Sequence, residues 1–145
     1  MIRSYLFVPA DSAAKIPKAL ASEADAVILD LEDSVALADK PQARRLAAET
    51  LSGARGKPLY VRTNAWDSGL IEADLAAVLA ARPDGLVLPK SGSGADVKRL
   101  GERAGLPSHR VQALVLAFSE VATNAMLHGG GMTNAALWID GDGVV

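Results

Sequence analysis

Arg62 and Asn64 follow the apolar run Leu59-Tyr60-Val61. A guanidinium presents parallel N–H donors that match a carboxylate, so Arg62 reads as an anchor for an α-keto acid. Asp30, Glu32 and Asp33 close the run Val27-Ile28-Leu29. Acids this close repel one another unless a cation or an arginine offsets them. Arg62 could therefore also be a structural partner of the Glu32-Asp33 cluster, and both roles can hold together. Lys90 follows Leu86-Val87-Leu88-Pro89. A desolvated lysine can form a Schiff base, but a rim rich in carboxylates keeps the amine protonated, which favours a charge-balancing role. Glu120 follows Val111 to Phe118, and Asp142 follows Ala135 to Ile139. Those two are the expected metal pair, because Mg²⁺ takes one or two carboxylates and fills its shell with water and substrate oxygens. The chemistry that emerges is a Mg²⁺ ion holding an anionic substrate. Arg62, Glu32 and Asp33 are its catalytic expectation, and Arg62, Asn64 and Lys90 its substrate-binding expectation.

Other groups carry less. His109 precedes the Val111 run, and His128 sits beside Gly129-Gly130-Gly131 near an expected helix end, where a cation is favoured. Both are read as structural. Ser119 has no histidine at a spacing that would make a hydrolase triad. Gly92-x-Gly94 and the 129–131 glycines could cradle phosphate, but no GxGxxG follows the first strand. Asp140-Gly141-Asp142-Gly143 lacks the spacing and terminal Glu of a calcium loop. There are no cysteines, which excludes disulfides, thiolate metal sites and cysteine nucleophiles. The net charge is −2 with mixed signs throughout, so no basic stripe invites nucleic acid. No run is long and apolar enough to predict a membrane span, and no secretory signal opens the chain, which leads to a cytoplasmic expectation.

These residues share a rim only if the strands before them run parallel, because ligands of parallel α/β arrays bind outside the carboxyl ends of the strands. The sequence predicts such an array. Strands are expected at 5–8, 24–31, 58–63, 84–89, 111–118 and 135–139, recurring roughly every 25 to 30 residues, the pitch of βα units. Between them, Asp11 or Ser12 caps a helix over 13–21, Lys40-Pro41 opens one running to Leu51, Leu70 to Leu79 line another, and Ser93 caps a fourth that ends near Gly105. A fifth carries Val121, Ala125 and Met126. The strands read as continuous apolar runs, the mark of a sheet covered on both faces. The 145 residues form one expected domain, 1–145, half hydrophobic and poor in aromatics. Either an open doubly wound sheet or part of a TIM (β/α)₈ barrel fits. A barrel takes about 200 residues or more, so the expectation is a partial barrel of about five and a half units, truncated at its C-terminus.

Four stretches carry a family resemblance: Arg3-Ser4-Tyr5-Leu6-Phe7-Val8-Pro9, the segment from Ala24 to Val35, Tyr60-Val61-Arg62-Thr63-Asn64, and the segment from Arg82 to Lys90. In these the chain resembles the citrate lyase β-subunit family of the HpcH/HpaI aldolase superfamily. The resemblance implies a (β/α)₈ barrel, Mg²⁺, and cleavage or formation of a C–C bond between an acyl-CoA and a keto acid. It places the substrate-binding arginine on Arg62, acids that stand behind the metal's own ligands on Glu32 and Asp33, and the metal carboxylates on Glu120 and Asp142. The expected function is a Mg²⁺-dependent lyase of the citryl-CoA or malyl-CoA type, working as a homo-oligomer. The alternatives are a CoA-independent 2-keto acid aldolase and a non-catalytic truncated half-barrel.

Overall fold

A computed structural model describes residues 2–128, 138–140 and 143–144. The elements run β1 (Tyr5–Pro9), α1 (Lys15–Leu20), β2 (Ala26–Asp30), α2 (Lys40–Ser52), β3 (Leu59–Arg62), α3 (Ile71–Val78), β4 (Gly85–Val87), α4 (Gly94–Arg103), α5 (Ser108–His128), β5 (Trp138–Asp140) and β6 (Gly143–Val144). Strands β1 to β4 are parallel and lie side by side in chain order. A doubly wound sheet reverses its strand order at a switch point, whereas an unbroken 1-2-3-4 order is how a barrel wall is laid down.

Side chains alternate across this sheet. Val27, Leu29, Leu59, Val61 and Leu86 turn to one face, where they form the main core with Ala43, Ala47 and Leu51 of α2 and Ile71, Leu75 and Val78 of α3. Ala26, Ile28, Tyr60 and Val87 form a smaller cluster on the other face. Strand β2 is buried at all five positions, so its apolar run has no alternation to show. The helix boundaries follow local chemistry. Ser12 Oγ accepts the Lys15 N–H at 3.3 Å ahead of α1. Ser93 and Asp96 cap α4 reciprocally, and Gly105 beyond its end takes φ +75°, a left-handed conformation that glycine adopts without a Cβ penalty.

Two expected strands need correction. Residues 111–118 lie within helix α5. Their apolar content conceals a helical period: Val111, Leu114 and Phe118 are buried, while Gln112, Ala113 and Leu116 face outward. The α5 helix packs closely on α4, because Gly101 and Gly94 have no Cβ. A methyl at either position would come within 3.1 Å of Val111 or Val115. The other correction concerns β5, which pairs antiparallel with β4, with Asp140 opposite Gly85. Asp140 thus lies at the amino end of β4, the opposite end from Lys90. Residues 129–137 and Asp142 lie outside the described residues. Among the described residues the parallel array therefore contains four βα units, and the expected fifth strand is a helix.

Among the described residues, β1 has β2 as its only strand neighbour, and Leu6 and Phe7 on it are 38% and 48% exposed. An edge carrying exposed apolar side chains recruits other chains. The chain is expected to self-associate, with a weight-average mass in sedimentation equilibrium that rises with concentration. A monomer mass that stays constant as concentration rises would contradict this.

Candidate functional site

The rim at the carboxyl ends of β2 and β3 is set by register. Pro9, Asp30, Arg62 and Val87 occupy one row across the four parallel strands. Asp30 shares its face with Ala26 and Ile28, and Arg62 shares its face with Tyr60, so the two charged side chains emerge from the same side of adjacent strands. They meet as a bidentate pair. Arg62 Nε donates to Asp30 Oδ1 at 2.8 Å and Nη2 donates to Oδ2 at 2.7 Å. The backbone N–H groups of Glu32 and Ser34 donate to the same two oxygens at 2.9 and 3.2 Å. Burial raises the Asp30 pKa, but the Arg62 hydrogen bond, reinforced by those of Ser34 and Glu32, more than offsets it and holds the carboxyl below its ordinary range.

The guanidinium also lies 3.3 Å from Glu32 Oε2 through Nη1 and 4.9 Å from the centre of the Phe7 ring. Its bond to Asp30, opposed by burial, pushes its pKa up, so Arg62 stays charged. Lys90 completes the cluster. Its ammonium is 2.9 Å from Glu32 Oε1 and 3.5 Å from Asp33 Oδ1. Glu32 Oε1 is buried and takes no well-directed hydrogen bond, so the Lys90 contact is an ion pair by proximity. The close contact with Glu32 and the charges of Glu32 and Asp33 push the Lys90 pKa up. An amine held protonated is a poor nucleophile, which supports its charge-balancing role over a Schiff base. Lys90 also has φ +52°, a left-handed backbone that is strained for a residue with a side chain.

Arg62, Glu32, Asp33 and Lys90 are thus brought together. Asn64 is adjacent but differently engaged. Its amide donates to Leu31 O at 2.9 Å and to Asp74 Oδ2 at 2.7 Å, both buried. A cavity of about 420 Å³ opens beside Glu32, Asp33, Lys40, Asn64 and Lys90. The larger groove, about 810 Å³, runs along α4 and α5 and shares no residue with this rim. The phosphate-cradle expectation at Gly92 fails for a local reason. The N–H groups of Gly92 and Ser93 both donate to the chain's own Asp96 carboxylate at 3.1 Å.

Glu120 does not reach the rim by way of a strand end. It is exposed within α5, beside Ser119, whose hydroxyl donates to Val115 O. Asp142 lies outside the described residues. Among the described residues, no three carboxylate or imidazole groups come together as a metal donor set. The acids that are present, Asp30 and Glu32, already face Arg62 and Lys90. Among the described residues the expected metal pair is therefore not assembled: Glu120 lies on the surface of α5, and Asp142 lies outside them.

Sequence reasoning passed over three buried partners. Asp30 reads in the sequence as one acid among three, whereas it sits directly opposite Arg62. Asp74 is fully buried on the apolar stripe of α3, and Arg44 donates to it at 2.7 Å. Lys40 is 6% exposed at the start of α2. The signals were an acid among Ile71, Leu75 and Val78, and a cation at a helix N-terminus, where the dipole disfavours it.

The HpcH/HpaI aldolase/citrate lyase family model matches residues 3–124. Citrate lyase subunit beta of Escherichia coli (strain K12) is 43% identical over 101 residues, covering 66% of this chain and 32% of the relative. A (3S)-malyl-CoA thioesterase of Cereibacter sphaeroides (strain KD131) is 39% identical over 98 residues, covering 66% of this chain and 34% of the relative. The crystal structure of CitE from Mycobacterium tuberculosis in complex with magnesium, acetoacetate and coenzyme A superposes with a TM-score of 0.60 at 40% identity, covering 68% of this chain and 36% of that one. The M. tuberculosis citrate lyase beta subunit complexed with oxaloacetate and magnesium gives a TM-score of 0.58 at 42% identity, covering 66% and 42%. The chain spans about a third of the length of the curated relatives it matches.

Proposed function

Because the chain belongs to the HpcH/HpaI aldolase/citrate lyase family, we propose that its rim is the carboxylate clamp of a carbon–carbon lyase of the citryl-CoA or malyl-CoA type. The observation that carries this reading is the side-on lock of Arg62 on Asp30. That lock uses Nε and Nη2 and leaves the Nη1–Nη2 end of the fork directed away from Asp30, with Glu32 Oε2 3.3 Å from Nη1. A keto-acid carboxylate fits such an end-on fork with two charge-assisted hydrogen bonds. Lys90 beside it adds positive charge where negative charge builds on a carbonyl oxygen as the C–C bond breaks. Coenzyme A in a relative's structure supports an acyl-CoA as the other half of the substrate, and the exposed β1 edge supports a homo-oligomer as the working assembly.

Titrating the chain with oxaloacetate and with glyoxylate tests the clamp. Saturable binding to at least one is expected, and binding to neither would end the reading. Whole-protein chemistry is separated by products. Malyl-CoA going to glyoxylate and acetyl-CoA marks a lyase. Free CoA thiol with malate marks thioester hydrolysis. Pyruvate released from a CoA-free hydroxy-keto acid marks an aldolase.

Magnesium in the relatives' structures motivates Glu120 and Asp142 as its ligands, and that pair has its own test. Because Glu120 is exposed in the middle of α5, Glu120→Gln is expected to leave the chain's Mg²⁺ affinity within about twofold of the parent, the scatter of a neutral surface change. A tenfold or greater loss by calorimetry would restore Glu120 to the metal pair.

A further inference from the structure

Lys40 is unusual in two respects. It is a cation opening a helix, and it is almost completely buried. Its ammonium donates to Leu31 O at 2.5 Å and to Glu32 O at 2.7 Å. These are the first two carbonyls after β2, where the chain has left the strand and turns towards Ser34. Asn64 Nδ2 donates to the same Leu31 carbonyl, and both the Asn64 amide and its backbone N–H donate to Asp74 Oδ2 at 2.7 Å. Arg44 then holds the other Asp74 oxygen. Two polar side chains, Lys40 and Asn64, thus hold one two-residue stretch of backbone, and Asp74 and Arg44 hold Asn64 in turn. Burying an ammonium is costly, and here burial pushes its pKa down against the pull of Asp74, Asp30 and Glu32. A core that only needed filling could use an apolar side chain at this position.

The stretch so held carries Glu32. The Glu32 carboxylate is buried and reaches Arg62 on one oxygen and Lys90 on the other. We propose that Lys40 is a positioning residue for the anion clamp: by fixing the Leu31 and Glu32 carbonyls it sets the turn from which the Glu32 carboxylate aligns Arg62 and Lys90. This rests on the reading of the rim as a carboxylate clamp. Lys40 acts on the clamp through Glu32.

The test compares the full chain with Lys40→Met, which keeps length and removes the charge, and Lys40→Arg, which keeps charge and donors. Side-chain Nε–H resonances of arginine provide a local signature. Arg62 reports the clamp, and Arg55, bonded to Leu51 O and Ala81 O, serves as a reference outside it. In folded Lys40→Met, the Arg62 resonance and the Glu32 and Ser34 amides are expected to move while Arg55 stays. Lys40→Arg is expected to return them towards the parent. Oxaloacetate affinity is expected to fall about tenfold in Lys40→Met, the loss of one charged hydrogen bond's alignment. Unmoved Arg62 and Glu32 signals in folded Lys40→Met, or equal displacement of Arg55, would overturn the proposal. If the parent binds neither keto acid, the clamp reading fails, while the resonances still decide whether Lys40 sets the turn. If Lys40→Met does not fold, Lys40→Gln, which keeps one donor, carries the same comparison.

Discussion

Asp30→Ala is expected to destabilise the chain by about 3 kcal/mol at pH 7, near the lower end of the cost of breaking a buried ion pair from one side. The carboxylate is buried and accepts four hydrogen bonds, two from Arg62 and one each from the Glu32 and Ser34 backbones. Removing it leaves a guanidinium facing Glu32 alone and frees the turn after β2. The estimate sits at the lower end because the Arg62 side chain remains 23% exposed and water can replace part of the loss. A pH signature accompanies this. The Asp30 pKa is lowered in the folded state relative to about 3.9 in an unfolded chain. Its contribution is therefore fully present above about pH 4 and is lost as pH falls through the lower folded value. Asp30→Asn, which keeps the shape but cannot titrate, should show a shallower loss of stability below about pH 4 than the parent. Urea unfolding at pH 7 and at steps below pH 4 measures both effects. A cost under about 0.5 kcal/mol for Asp30→Ala would place the pair among ordinary surface contacts and remove it as the frame of the site.

Part of this frame is visible in the sequence. Runs that end in charge, separated by βα spacing, place Arg62, Glu32, Asp33 and Lys90 on one rim without any coordinates. Hydrophobicity reports that a segment is buried, and β2 and β3 are buried enough to read as strands at once. Pairing is harder to read. That Arg62 takes Asp30 before Glu32 depends on a register that a fully buried strand, lacking alternation, does not display. The misassignment of 111–118 has the same root. A short apolar run fits a buried strand and a half-buried helix equally well, and only the 111, 114, 118 spacing and the small Gly94 and Gly101 across from it favour the helix. With that strand lost, Glu120 moves from a strand end to a helix surface. Asn64 reads as a ligand contact because it follows Arg62; its Nδ2 donates to Leu31 and Asp74, and the residue also borders the cavity at the rim. A polar residue at a strand end can serve the ligand or the loop, and sequence position does not distinguish the two.

Arg62→Lys is expected to weaken oxaloacetate or glyoxylate binding by about 1.5–3 kcal/mol, the scale of a hydrogen bond to a charged group. In affinity this is a loss of roughly 10- to 100-fold. Arg62 presents one planar group in two directions: its side edge holds Asp30, and its other end, where Nη1 lies 3.3 Å from Glu32, is the part proposed to meet a ligand. A lysine ammonium is a point charge with donors on a single atom, so it cannot keep Asp30 in two parallel bonds and also offer a fork. It would settle on the buried acids, where Asp30 and Glu32 attract it most, and withdraw from the ligand. Lys90, paired with Glu32 and Asp33, would keep some positive charge at the rim, which limits the loss to the fork itself. The variant is also expected to be less stable, so binding should be measured by calorimetry at a temperature where circular dichroism shows it folded. Unchanged affinity for both keto acids in the folded variant would remove Arg62 from the ligand site and leave it as the structural partner of Asp30. A loss of binding with the Asp30 frame intact, seen as an unaltered stability profile below pH 4, would separate the ligand-facing end of the guanidinium from the end that holds the fold.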